Sequence, residues 1–243
     1  MPPRDSQPTL FATTRWTLVQ DAARGGDHGA VTALGALFAT YWQPLYRYAR
    51  RKGKSKEDAE DLVQGFFTHL LTADTLRDID RAKGRFRSFL LASFQHWMIN
   101  DWKHASRDKR GGGIAPLSFD WESAESGLKL EVADERSPDR IYDREWAVAL
   151  LDKVLRDLET LAHEEGGAEQ FERLKPCLTA DSSRIGYAAI ATELGMSEGA
   201  LRVAVHRLRK RYRHLLTDEI ARTLSSPEAV EEEMQSLFAA LAG

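Results

Sequence analysis

Helical periodicity recurs along the chain from about Trp16 onward, and almost no segment alternates apolar and polar residues. A strand shows one face at every second residue, whereas a helix returns to one face at i, i+3, i+4 and i+7, so the pattern predicts an all-α fold. Its clearest instance begins at Ser55. In SKEDAEDLVQGFFTHLL the apolar residues Ala59, Leu62, Val63, Phe66, Phe67 and Leu70 form one continuous face, and Ser55 with Asp58 is an N-terminal capping signal. Upstream, Leu34, Leu37, Phe38 and Tyr41 form a similar face that continues past Pro44 through Leu45, Tyr48 and Ala49. Downstream, a helix is expected over about 86–104, with Phe86, Phe89, Leu90, Phe94 and Trp97 inward; their spacing marks the aromatics as core. Three such helices can bury one another, which gives a first domain over 14–105.

The pattern breaks over 106–140, SRDKRGGGIAPLSFDWESAESGLKLEVADERSPDR, where a glycine run, two prolines and small polar residues mark a linker. Ile114, Leu117, Phe119 and Trp121 would let part of it lie against a surface. Periodicity resumes in REWAVALLDKVLRDLETL, with Trp146, Leu150, Val154, Leu158 and Leu161 on one stripe. The expectation is therefore two small helical domains joined by a flexible linker, the second over 141–217, followed by an extension over 218–243. Apolar residues make up 42% of the 243, enough for buried cores. The single cysteine, Cys177, excludes an intrachain disulfide and a Cys-rich zinc site, and it suits a reducing cytoplasm. No apolar run approaches the ~20 residues of a membrane span, and MPPRDSQPTLFATTRW lacks the apolar run of a secretory signal. A cytoplasmic protein without membrane insertion is expected.

With a formal net charge of −3, any contact with nucleic acid must come from locally concentrated charge. GYAAIATELGMSEGALRVAVHRLRKRYRHLL, from Gly186, supplies it. A helix-turn-helix needs a small residue where its helices cross, a residue able to turn sharply, and apolar residues that fix the crossing. Ala191, Gly195, and the set Ile190, Leu194, Met196 and Leu201 fill those roles. Ser197 caps the second helix, whose inward face is Leu201, Val205, Leu208, Tyr212 and Leu215. Arg202, His206, Arg209 and Arg213 then fall on one outward stripe, with Val203, Arg207 and Lys210 on the next. Residues near the helix start would meet base edges and later ones phosphates.

Charge changes sign beyond that helix. Arg202 to His214 holds six arginines and lysines and no acid, while Asp218 to Gly243 holds six acids and one arginine. Val230, Met234, Leu237, Phe238 and Leu241 give this tail an apolar stripe that must be buried somewhere. Three outcomes are open: the tail completes the core of the second domain, binds another protein, or folds back so that Glu231, Glu232 and Glu233 meet Arg209, Arg211 and Arg213 in competition with DNA.

Taken in order, YWQPLYRYARRKGKSKEDAEDLVQGFFTHLL, GRFRSFLLASFQHWMINDWKHASRDKR and the segment from Gly186 resemble a bacterial RNA polymerase sigma factor of the extracytoplasmic-function group. The likeness covers most of the chain. It implies that the capped helix docks on core RNA polymerase through Glu60, Asp61 and Gln64, with Arg50 and Arg51 nearby. Gly65 and Phe66 stand where the family more often has an acid and a threonine or alanine. The resemblance further implies that IDRAKGRF, including Asp80, Arg81, Lys83, Gly84, Arg85 and Phe86, forms a pocket for a flipped promoter base. Gln95, His96, Asn100 and Lys103 would line the adjoining helix. The basic residues of that loop, continuing into Arg87, suit a phosphate backbone. The upstream promoter element would be read by Ser197, Arg202, Val203, His206, Arg207, Arg209 and Lys210. Core RNA polymerase and promoter DNA are the implied partners, and a separate anti-sigma factor or other regulator would leave no trace in this chain.

No catalytic constellation is visible. The seven histidines are scattered, no pair has metal-ligand spacing, and KRGGGIAP lacks the lysine and hydroxyl of a phosphate-binding loop. Neither an enzyme nor a cofactor or metal is expected. The rival function is a stand-alone helix-turn-helix regulator whose first domain binds a ligand or partner; binding to core polymerase separates the two.

Overall fold

A computed structural model describes residues 28–72, 85–104, 120–121, 124–125, 137–179, 186–224 and 227–242. The fold is all-α: among the described residues the regular elements are helices α1 (His28–Arg51), α2 (Lys56–Thr72), α3 (Phe86–His104), α4 (Pro138–Glu164), α5 (Ala168–Leu174), α6 (Tyr187–Glu193), α7 (Glu198–Ala221) and α8 (Val230–Ala242), with short 3₁₀ turns at Lys175–Cys177 and Pro227–Ala229. The chain divides into two compact units, residues 1–149 with 220–243 and residues 150–219. The first unit thus takes in the beginning of α4 and the tail from Ile220 onward as well as the three helices expected of it.

In the first unit most of the residues predicted inward from periodicity are buried, whereas Phe89 and Trp97 are half-buried and the side chains of Leu34 and Leu37 lie outside those described. Ala59, Leu62, Val63, Phe66, Phe67 and Leu70 of α2 meet Phe38, Tyr41, Leu45 and Tyr48 of α1 and Phe86, Leu90 and Phe94 of α3 in one core. Ring contacts tie the three together: Phe38 to Phe67 at 4.3 Å, Phe66 to Phe94 at 5.1 Å and Tyr41 to Phe86 at 5.3 Å between centroids. Ser55 Oγ accepts the Asp58 backbone N–H at 3.0 Å, so the cap read from the sequence forms. Helix α1 runs through Pro44 although proline removes an internal hydrogen bond, because the flanking residues are locked in the core. Gly65 lies where a Cβ would stand 3.2 Å from the Trp97 ring, and Trp97 in turn stacks on His69. Glycine here admits a bulky indole between α2 and α3.

Within the 106–140 segment, residues 120–121 and 124–125 are described ahead of Ser137 and the start of α4, and both pieces pack on α1. Trp121 meets Trp42 edge-on at 5.0 Å and Tyr46 at 5.4 Å, and Ala124 beside it is buried. Ile114, Leu117 and Phe119 lie outside the described residues. Helix α4 starts three residues before the expected domain boundary at 141, because Pro138 suits a first helical position and Ser137 Oγ accepts the Arg140 N–H at 3.4 Å. Ile141, Tyr142, Trp146 and Ala147 are buried, and Tyr142 lies edge-on to Tyr48 of α1.

The second unit is built around Leu174, Cys177, Tyr187, Ala191, Leu201 and Val205, with Ile190, Leu194, Met196, Ala204 and Leu208 packed against them. Helix α6 ends at Gly195, whose φ of +61° is the left-handed value that glycine adopts without penalty. The Met196 N–H reaches back to the Ala191 carbonyl at 3.0 Å and the Gly195 N–H to Thr192 at 3.2 Å, which is the paired-bond termination of a Schellman turn. Ser197 Oγ then accepts the Ala200 N–H at 3.2 Å and starts α7. Gly195 and Ser197 thus occupy the turn and the cap expected of them, and Ala191 is buried with Tyr187 in the core of this unit.

Candidate nucleic-acid interface

On α7 the burial pattern separates a packing face from a solvent face. Arg202, Val203, His206, Arg207, Lys210, Arg213 and His214 are exposed, and they recur at the spacing of one helical side. Val203 is 48% exposed, an apolar side chain set among basic ones. Arg207, His206 and Lys210 make no ion pair or hydrogen bond among the described residues. Arg202 is held: Glu198 accepts its Nη2 at 2.6 Å, and its guanidinium lies 4.2 Å from the centroid of Tyr187. Neither Glu198 nor Tyr187 was singled out as a site residue in the sequence, although a glutamate four positions before an arginine is a helix-pairing signal.

Arg209 takes a different course. Its Nε and Nη2 donate to the Cys177 carbonyl oxygen at 3.0 and 2.7 Å, so the side chain, half-buried, ties α7 to the 3₁₀ turn. Arg211 likewise pairs with Glu165 at the end of α4. Arg211 holds the Glu165 carboxyl below its ordinary value.

In the first unit, Asp61 of α2 is exposed and Glu60 and Gln64 are half-buried. Arg50 is fully engaged: Nε and Nη2 donate to Glu125 at 3.1 and 2.7 Å and Nη1 to the Lys54 carbonyl at 2.6 Å. The Tyr46 hydroxyl donates to the same Glu125 at 2.5 Å, and burial, aided by that carboxylate, raises its phenol well above 10.0. Arg51 is half-buried beside it.

At the other end, Asp80, Arg81, Lys83 and Gly84 lie outside the described residues. Arg85 and Arg87, which follow them, converge on the tail. Glu233 of α8 is fully buried; it accepts Arg87 Nε at 2.7 Å and Arg85 Nε at 2.9 Å. Arg85 also donates to Glu232 at 2.6 Å and to Ser236 Oγ at 3.1 Å. Arg87 pairs with Asp143 and lies over the Trp146 ring at 4.5 Å. Burial pushes the Asp143 carboxyl up, against the pull of Arg87. Along α3, Gln95 donates to the Tyr48 hydroxyl at 2.8 Å and to Asp139 at 3.3 Å, Phe86 is buried, and Asn100 and Lys103 fall toward the helix end. Ser88, Ala92, His96 and Ile99 make its exposed side. Ile99 is 60% exposed, a large apolar surface residue not singled out from the sequence.

The tail therefore has contacts that sequence did not anticipate. Glu232 and Glu233 meet Arg85 and Arg87, not the arginines of α7, and Met234 and Leu237 are buried. Among the described residues no cluster of histidine, cysteine or carboxylate side chains could hold a metal ion, and no helix is long and apolar enough to cross a membrane.

Residues 37–108 match the family Sigma-70 region 2, a span that opens within α1 and takes in α2 and α3. That family is a non-enzymatic transcription initiation factor that binds core RNA polymerase and promoter DNA. No curated protein and no solved structure matches the chain.

Proposed function

We propose that the chain is a sigma factor of the extracytoplasmic-function type, which binds core RNA polymerase and directs it to promoters. The observation that carries this reading is the Sigma-70 region 2 match over the three-helix core, followed in the same chain by a second unit with a one-sided basic helix. In this reading α6 and α7 form a helix-turn-helix for the upstream element, with Arg202, Val203, His206 and Arg207 at base edges and Lys210 at a phosphate. Arg202, pre-oriented by Glu198 and Tyr187, loses less freedom on binding than a solvated arginine would. Arg209 supports the fold of that unit, and Ser197 contributes through its cap.

Core polymerase docks on the α2 face carrying Glu60, Asp61 and Gln64, with Arg51 beside it and Arg50 ordering that end through Glu125. The segment before α3, with Arg81, Lys83 and Arg85, receives the melted strand, and the exposed side of α3 with His96 and Ile99 continues the surface. Asp80, Gly84, Phe86, Gln95, Asn100 and Lys103 shape that region, while Arg87 fixes the helix start. Retention on immobilised core polymerase tests the reading: the protein is held and Asp61→Arg is released with its helicity intact. Failure of the parent protein to be retained would remove the proposal.

A further inference from the structure

The arginines at the start of α3 are occupied by acids of the chain's own last helix, in two different environments. Glu233 is fully buried and shared between Arg87 and Arg85, whereas Glu232 is 74% exposed and reaches only Arg85, itself 28% exposed. A carboxylate on a guanidinium uses the same forked hydrogen-bond geometry as a phosphate oxygen pair. Arg85, Arg87 and Arg140 also line a cleft bordered by Ser236, Ala239 and Ala240 of α8. Arg140 is exposed and makes no side-chain ion pair among the described residues.

We propose that α8 is a built-in competitor for the nucleic-acid strand, in which Glu232 holds Arg85 in the bond a backbone phosphate would take. Glu233 and Arg87 are the fixed part of the device. Their charges are shielded from water, Arg87 is braced by Asp143 and the Trp146 ring, and Met234 and Leu237 of the same helix as Glu233 are buried. Glu232 is the exchangeable part, because a solvated ion pair is weak and readily replaced by a polyanion. A strand entering the cleft would displace Glu232 from Arg85 and gain Arg140, leaving the anchor in place. The proposal rests on the proposed reading of Arg85 and the start of α3 as part of a strand-binding surface.

The test is fluorescence anisotropy of a labelled, mixed-sequence single-stranded oligonucleotide with the full chain across a salt series. Glu232→Gln is expected to bind about two- to fivefold tighter at low salt, the range of an exposed ion pair, with the gain fading as salt screens it. Adding Arg85→Gln should abolish that gain. Equal affinity of Glu232→Gln and parent at low salt overturns the proposal, and so does a gain that survives the loss of Arg85. Core polymerase retention is read in parallel: retention with no effect at Glu232 leaves the sigma-factor reading standing and removes the competitor alone. An Arg85-dependent gain without retention keeps the competitor and removes the sigma-factor reading.

Discussion

Replacing Glu233 with alanine should unfold the first unit more easily than any single surface substitution. The carboxylate is fully buried and accepts from Arg87 at 2.7 Å and from Arg85 at 2.9 Å, so its removal leaves Arg87, 5% exposed, with one partner fewer in a water-poor setting. Stripping one partner from a buried ion pair costs about 3–5 kcal/mol, and Arg87 keeps Asp143 and the Trp146 ring, which places the loss near the lower end, about 3 kcal/mol. For a unit of this size that corresponds to a fall in melting temperature of about 6–12 °C. All six tryptophans (Trp16, Trp42, Trp97, Trp102, Trp121, Trp146) fall in the first unit, so tryptophan fluorescence during urea or thermal unfolding reports on it alone. The double variant Arg87→Met/Glu233→Met removes both charges and should recover most of the loss. A loss below about 1 kcal/mol for Glu233→Ala would mean the pair behaves as a solvated surface bridge, and the reasoning would fail.

Lys210→Ala should weaken binding to all promoter fragments alike and lower the salt slope by about 1, whereas Arg209→Ala should leave the slope unchanged and lower the stability of the second unit, followed by circular dichroism. A slope change with Arg209→Ala and none with Lys210→Ala would reverse these assignments. Gly195→Ala should destabilise the second unit by about 1–2 kcal/mol through its left-handed backbone alone, because an added Cβ meets nothing within 4 Å; Gly195→Asn should lose less, and chemical denaturation distinguishes the two. The Glu165 carboxyl should titrate below 4.5 and return to it in Arg211→Gln, read from its side-chain carbon resonance. Because its folded pKa is depressed, the Arg211 bridge contributes above the ordinary carboxylate pKa and is lost as pH falls through the depressed value. A parent midpoint at or above 4.5 would contradict the bridge.

Local structure was legible because short-range rules decide it. The α2 stripe, the Ser55 and Ser197 caps and the Gly195 turn depend on residues within a few positions of one another, and each forms. What sequence could not supply is the destination of a side chain or a helix. The tail's apolar stripe announced a buried face, but the partner of Glu233 is Arg87, 146 residues away, and periodicity carries no information about that distance. Nor did it foresee Phe238, counted on the stripe yet 55% exposed. Arg209 sat on the outward stripe by subtraction, yet its long side chain reaches the Cys177 carbonyl, because angular position fixes Cβ and not the guanidinium. Similarly, Glu125 lies in a segment with no helical pattern, so nothing marked it as the partner of Arg50 and Tyr46.

The central claim, promoter-directed initiation, is tested most directly by run-off transcription with purified core RNA polymerase on genomic fragments. Discrete transcripts that require both core and this protein, and that disappear with Asp61→Arg, are the expected result. Fragment binding by the protein alone, with no transcript in the presence of core, would contradict it and favour a stand-alone regulator.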